Sequence, residues 1–234
     1  MNEKLSVGET LSEAFRLYRE QAGVLLPVAF WLFLAVAIVE AVFAGNIWLG
    51  LIAVVLSLAV STLYQGMVVG LVGDVQDGRR DHSIVELMRS VAPVVATLIG
   101  AGFLAGLGIV GGFVLLVVPG LYLLTIWAVI APAIVVERRG VLNSFGRSRQ
   151  LVRGNGWPVL GTVLSAFLIT FVVAAIFTAI AVSLSDEVLL EIVLLTLASM
   201  ITAPIPALVA SVLYFRLRKI EDAKAPAAPD SVLE

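Results

Sequence analysis

Three groups of polar side chains in this chain have types and spacings that could do chemistry. The first is basic. Arg138, Arg139, Arg147, Arg149 and Arg153 fall within sixteen residues, a density that suits anionic lipid headgroups, each base near such a surface contributing about 1 kcal/mol. The same charges also serve to set topology. The second group is acidic: Glu40 and Glu191 stand at the ends of apolar stretches, with Asp186 and Glu187 nearby in sequence. Clustered carboxylate oxygens suit a hard divalent cation or a proton, although single carboxylates at a span's end can also simply reach water. The third is Gln65 with Ser57, Ser61, Thr62 and Tyr64, a polar stripe inside one apolar stretch. It fits hydrogen bonds to a neighbouring helix or, alternatively, a path for a polar solute.

Other chemistry is excluded. The only histidine is His82 and there is no cysteine, so no site needing two imidazoles, a thiolate or a disulfide can form. No base accompanies Glu40 or Glu191, and an intramembrane enzyme would need paired groups at one depth. The pattern implies no cofactor, no metal centre and no nucleic-acid partner.

The elements that must carry these residues follow from composition. Of 234 residues, 60% are hydrophobic and 14% charged, and the mean hydropathy is +1.07, far from the balance of a soluble domain. A membrane-crossing helix needs about 20 apolar residues. The chain offers them at 24–43 and 47–72, in an uncharged run from Val91 to Val136 long enough for two crossings, at 159–184 and at 188–215. The long run is divided as 91–112 and 115–136, with a turn between Gly108 and Gly120. The expected fold is therefore an all-α polytopic membrane bundle of six transmembrane helices over 1–220, with a disordered cytoplasmic tail over 221–234.

Lys and Arg give the orientation. They fall before span 1, between spans 2 and 3, between spans 4 and 5, and after span 6, and the three other connections carry none. Under the positive-inside rule both termini and both long links are cytoplasmic. The first apolar stretch is expected to stay as a span rather than be cleaved as a signal peptide, because the segment before it is long and net acidic.

Apolar residues at three- and four-residue spacing precede alternate spans. They are Val7, Leu11, Ala14, Phe15, Tyr18 and Ala22, then Ile84, Leu87, Met88 and Val91, then Val141, Leu142, Phe145, Ser148 and Val152. This periodicity predicts amphipathic interfacial helices before spans 1, 3 and 5. Gly66/Gly70, Gly102/Gly106 and Gly108/Gly112 pair glycines on single helix faces, which predicts close packing. Pro27 and Pro158 are expected to start spans, and Pro132, Pro204 and Pro206 to kink them. A helix begun at Leu121 would be too short to cross, so span 4 must begin before Pro119 or re-enter.

The string PGLYLLTIWAVIAPAIVVERRGVLNSFGRSRQLVRGNGW, Pro119 to Trp157, resembles the six-span bacterial family called the glycerophosphoryl diester phosphodiesterase membrane domain. The matching positions are Pro119, Gly120, Trp127, Pro132, Glu137, Ser148, Leu151, Arg153, Gly154 and Trp157, and Leu213 to Lys219 resembles the family's close of span 6. Ile126 departs from it, since members often carry Arg there. The resemblance implies a bacterial inner-membrane location and a six-span fold. It implies no activity here, because the soluble phosphodiesterase barrel of fused members is missing from these residues. The expectation is a non-enzymatic membrane module that contacts membrane lipids, a protein partner or a second copy of itself; the alternative is a transporter or channel for a small or amphiphilic solute.

Overall fold

The computed structural model describes residues 5–78, 84–184 and 188–224. Among them are ten α-helices and no strand: α1 (Val7–Phe43), α2 (Ile47–Gln76), α3 (Ile84–Val91), α4 (Val95–Leu115), α5 (Val117–Ile126), α6 (Ile130–Glu137), α7 (Val141–Val152), α8 (Gly156–Leu184), α9 (Val188–Thr202) and α10 (Pro204–Lys224), with a 3-10 turn at Ala92–Val94. Six segments are long and apolar enough to cross a membrane: α1, α2, the 3-10 turn with α4, α5 with α6, α8, and α9 with α10. The chain is a multi-pass, all-α membrane bundle.

Proline places the breaks. Pro119, Pro132 and Pro204 each lie in the first turn of a helix, α5, α6 and α10 respectively, where a missing N–H removes no intrahelical bond. Span 4 is therefore two helices, separated at Trp127 to Val129, and span 6 is two helices separated at Ala203. Pro27, expected at a helix start, is instead inside α1.

Further boundaries differ from the sequence-based division. The turn between the third and fourth segments is the single extended residue Leu116, φ −163°, so α4 runs three residues beyond the expected end at 112. The amphipathic stretch before span 1 is no separate helix, because α1 continues unbroken for 37 residues, about 55 Å. Its buried face, Thr10, Ala14 and Leu17, packs into the core with α10 instead of lying free on the headgroups. Finally, α10 continues to Lys224, so Glu221, placed in a tail by its composition, is helical. The remainder of that expected tail lies outside the described residues.

The core gathers around α10, whose residues from Ala207 to Tyr214 are all buried and which contacts α1, α2, α6, α7, α8 and α9. Leu17, Leu25, Tyr64, Val68, Val129, Leu151 and Val159 join it from the surrounding helices. These residues lie toward the arginine-bearing end of the bundle. At the other end, α2 from Ile47 to Ile52 and the α4–α5 turn expose large apolar side chains, as lipid-facing surface should.

Glycine pairing is realised unevenly. A Cβ on Gly66 would lie 2.8 Å from Leu98 and Val91, one on Gly108 would lie 2.5 Å from the Trp127 indole, and one on Gly112 would lie 3.0 Å from the Gly120 backbone. Gly106 meets nothing within 4 Å. The close approaches are thus within the chain, between α2 and α4 and between α4 and α5.

Candidate functional site

The arginine-rich link is built around Glu137, the last residue of α6. Helix α6 ends on Arg138 in the left-handed region, φ 53°, a conformation uncommon for a non-glycine residue. The chain then turns through Arg139 and Gly140 into α7. The Glu137 carboxylate accepts four side-chain hydrogen bonds. Its Oε1 takes one from Tyr214 Oη at 2.9 Å and one from Arg147 Nε at 2.8 Å, and its Oε2 takes one from Arg147 Nε at 3.0 Å and one from Arg139 Nε.

Arg147 also reaches α10. Its Nη1 donates to Glu221 Oε1 at 2.8 Å and its Nη2 lies 2.7 Å from Glu221 Oε2, a fork-on-fork pairing, and Gln150 Nε2 adds a third bond to Glu221 at 3.1 Å. The Arg147 side chain is only 12% exposed. Its hydrogen bonds to Glu221, then those to Glu137, raise its pKa above the ordinary guanidinium value despite burial, so it stays charged at any accessible pH. Two carboxylates and two guanidiniums, Arg139 and Arg147, close into a neutral unit joining α6, α7 and α10.

The next residue of α7, Ser148, repairs the break in span 4. It is fully buried; its hydroxyl donates to the Ile126 carbonyl at 2.8 Å and accepts from the Val129 N–H at 3.3 Å. Both backbone groups are ones that the interrupted helix cannot satisfy internally. Trp127, inside the break, packs edge-on against Phe145 of α7 with centroids 4.9 Å apart, and its ring occupies the space left by Gly108. Leu151 is buried beneath the same helix. Gly154, φ 86°, closes α7 in the left-handed conformation that glycine adopts freely.

The five arginines thus divide. Arg139 and Arg147 are spent on internal carboxylates, so Arg147, grouped by sequence with the headgroup candidates, faces inward. Arg138, Arg149 and Arg153 are exposed and have no ion-pair partner among the described residues. Arg149 and Arg153 border a recess of about 590 Å³ whose facing wall is Tyr122 and Ile126 of α5, with Gly146 and Gly154 leaving it open. Trp157, at the start of α8, is 84% exposed, the placement of an interfacial anchor.

The other candidates are not brought together. Glu40 and Glu191 are both exposed, and no cluster of three or more His, Asp or Glu side chains suited to a metal occurs among the described residues. Asp186, Glu187 and His82 lie outside them. Gln65 is half-buried on α2. Of its neighbours in the polar stripe, Thr62 donates to the Leu58 carbonyl and Tyr64 to the Leu25 carbonyl. A second ionic link, Arg216 to Glu13 at 2.8 Å and Glu9 at 3.0 Å, ties α10 to α1.

Sequence reasoning missed Tyr214, Gln150 and Glu221 as members of the Glu137 unit. A buried tyrosine needs a partner for its hydroxyl, which is a general signal, but nothing local in sequence names Glu137. Comparison of the chain with family models, with curated proteins and with solved structures gives no match.

Proposed function

We propose that the chain is a non-enzymatic inner-membrane module of a bacterium, with both termini cytoplasmic, that holds anionic lipid at the outward face of α7. The observation that carries this is the division of the arginines. Two are neutralised internally, which leaves Arg149 and Arg153 unpaired at the rim of a recess whose opposite wall, Tyr122 and Ile126, is largely apolar. A phosphate-bearing headgroup fits the basic rim and an acyl chain fits the apolar wall. Each base near an anionic surface contributes about 1 kcal/mol. Arg138 and Trp157, in the same stretch of chain, are exposed as well.

The likeness to the glycerophosphoryl diester phosphodiesterase membrane domain belongs to this reading. It is supported by the way Trp127, Pro132, Glu137 and Ser148 gather at the broken span and the link that repairs it, a structural reason for such residues to occur together. A protein partner or a second copy on the exposed α7 face is the alternative occupant. Solute transport draws less support, because Thr62 and Tyr64 of the polar stripe direct their hydroxyls to helix carbonyls.

Native mass spectrometry of the protein released from its own membrane tests the reading. A defined anionic lipid should remain bound, and Arg149→Gln with Arg153→Gln should release it. Unchanged retention in the double variant would sink the proposed site, and a bare wild-type protein would redirect attention to cross-linked partners.

A further inference from the structure

Two recesses at the arginine-bearing end of the bundle differ in charge. One of about 710 Å³, between α1, α2 and α10, is lined by four acidic and four basic side chains, a balance that selects neither sign. The recess of about 590 Å³ between α5, α7 and the start of α8 is lined by nine residues, which include Arg149 and Arg153 and no Asp, Glu, His or Lys. Its formal charge is therefore that of two guanidiniums.

The two charges are placed to act on one group. Gly146, Arg149, Gln150 and Arg153 follow at three- and four-residue spacing along one face of α7 and its cap. The Arg153 N–H donates to the Arg149 carbonyl at 3.1 Å, so the helical turn between them is intact and their Cβ atoms lie about 5–6 Å apart. Side chains as long as arginine can close on a single phosphate from that spacing, each as a planar fork. Both are exposed and unpaired among the described residues. The carboxylate that Gln150 contacts, Glu221, is already matched by Arg147. Tyr122, on the facing wall, adds a hydroxyl with no partner among the described residues.

We infer that this recess, on the preceding reading that it holds anionic lipid, selects a lipid whose headgroup ends in a phosphomonoester. Such a group carries about −1.5 to −2 charges near neutral pH and presents three acceptor oxygens, which matches two guanidiniums in a recess that supplies no anion of its own. A phosphodiester headgroup brings one charge and leaves the second guanidinium without a partner beside an apolar wall. A lipid with two phosphodiesters could serve each arginine separately, but it brings four acyl chains to a wall that is Tyr122 and Ile126, one turn of α5.

Glycine keeps the approach open. A Cβ on Gly146 or Gly154 would meet nothing within 4 Å, and Gly146 stands in the same row as the two arginines. Leucine at 146 would therefore occupy the recess without altering its charge.

Native mass spectrometry of the full chain in detergent micelles, supplied with equal amounts of phosphatidylcholine, phosphatidylglycerol, cardiolipin and phosphatidic acid of matched acyl chains, tests the choice. Phosphatidic acid should be retained about fivefold over phosphatidylglycerol at pH 8, the gain from a second charge meeting a second base. Arg149→Gln and Arg153→Gln, each alone, should erase that preference, and both leave the Glu137 cluster intact. The second ionisation of a phosphomonoester falls at a pH of about 6, and the lining has no carboxylate, imidazole or amine. The preference should accordingly fade from pH 8 to pH 5 while phosphatidylglycerol retention stays level, and a preference independent of pH overturns the inference. Gly146→Leu should lower phosphatidic acid retention; unchanged retention there means attraction to a basic surface alone and overturns it too. Equal retention of phosphatidic acid and phosphatidylglycerol, or cardiolipin above both, overturns the inference and leaves the anionic-lipid reading standing. Displacement of phosphatidic acid by an equal concentration of glycerol 3-phosphate assigns the recess to a soluble phosphomonoester and overturns both, as does retention of no anionic lipid above phosphatidylcholine.

Discussion

Arg147 and Glu137 are ten residues apart in sequence and joined by two hydrogen bonds of 2.8 and 3.0 Å, with both side chains largely withdrawn from solvent. Such a pair contributes little unless every remaining lone pair and proton is used. Here most are used: Tyr214 and Arg139 complete the carboxylate, and Glu221 takes the far edge of the guanidinium. The cluster fixes the C-terminal half of α10 against the break in span 4.

Removing one partner should therefore cost far more than a surface ion pair. Arg147→Gln leaves Glu221 without its guanidinium and Glu137 with Arg139 alone, and should destabilise the protein by about 3–5 kcal/mol. Glu137→Gln with Glu221→Gln in the same background should restore part of that loss, because the uncompensated charges are gone. Reversible unfolding in mixed micelles, run as a mutant cycle, gives both values.

The helical plan was legible in the sequence because apolar runs and proline act locally. Pro119, Pro132 and Pro204 mark helix starts within a turn, and the turn between the third and fourth segments falls in the expected window. What was not legible depends on partners far away in the chain. Tyr214 meets Glu137 across 77 residues and Glu221 meets Arg147 across 74, so a composition that reads as a tail at 221 is helix where an arginine holds it. The same holds for α1: periodicity marks 7–22 as amphipathic, but α10, rather than the headgroups, is what its apolar face meets.

Ser148→Ala tests whether the buried hydroxyl repairs the break. The variant keeps the volume of the site nearly unchanged and strips partners from the Ile126 carbonyl and the Val129 N–H, at a cost of about 1–3 kcal/mol for the unsatisfied groups. Faster hydrogen exchange at the Val129 amide should accompany the loss. Exchange unchanged there would mean that water already serves those groups.

Glycine positions on α4 should separate by contact. Gly108→Ala drives a methyl group to 2.5 Å from a Trp127 ring that Phe145 also confines, and should destabilise by about 1–3 kcal/mol through overpacking. Gly106→Ala, with nothing within 4 Å, should be neutral or gain up to about 1 kcal/mol from helix propensity. Equal effects in a thermal-shift assay would mean that Trp127 moves aside freely.

Arg216 offers the contrast to Arg147. It bridges Glu9 and Glu13 of α1, but Glu9 is 68% exposed and Arg216 28%, so water and salt screen the interaction. Arg216→Gln should cost about 1 kcal/mol or less at low salt, and raising the salt to 1 M, where the screening length is about 3 Å, should narrow the difference from wild type. The Arg147→Gln deficit should persist in larger part under the same salt, because Glu137, one of its two partners, is enclosed. A salt response as large at Arg147 as at Arg216 would show that the Glu137 cluster is open to solvent, and would return Arg147 to the set of bases available to a headgroup.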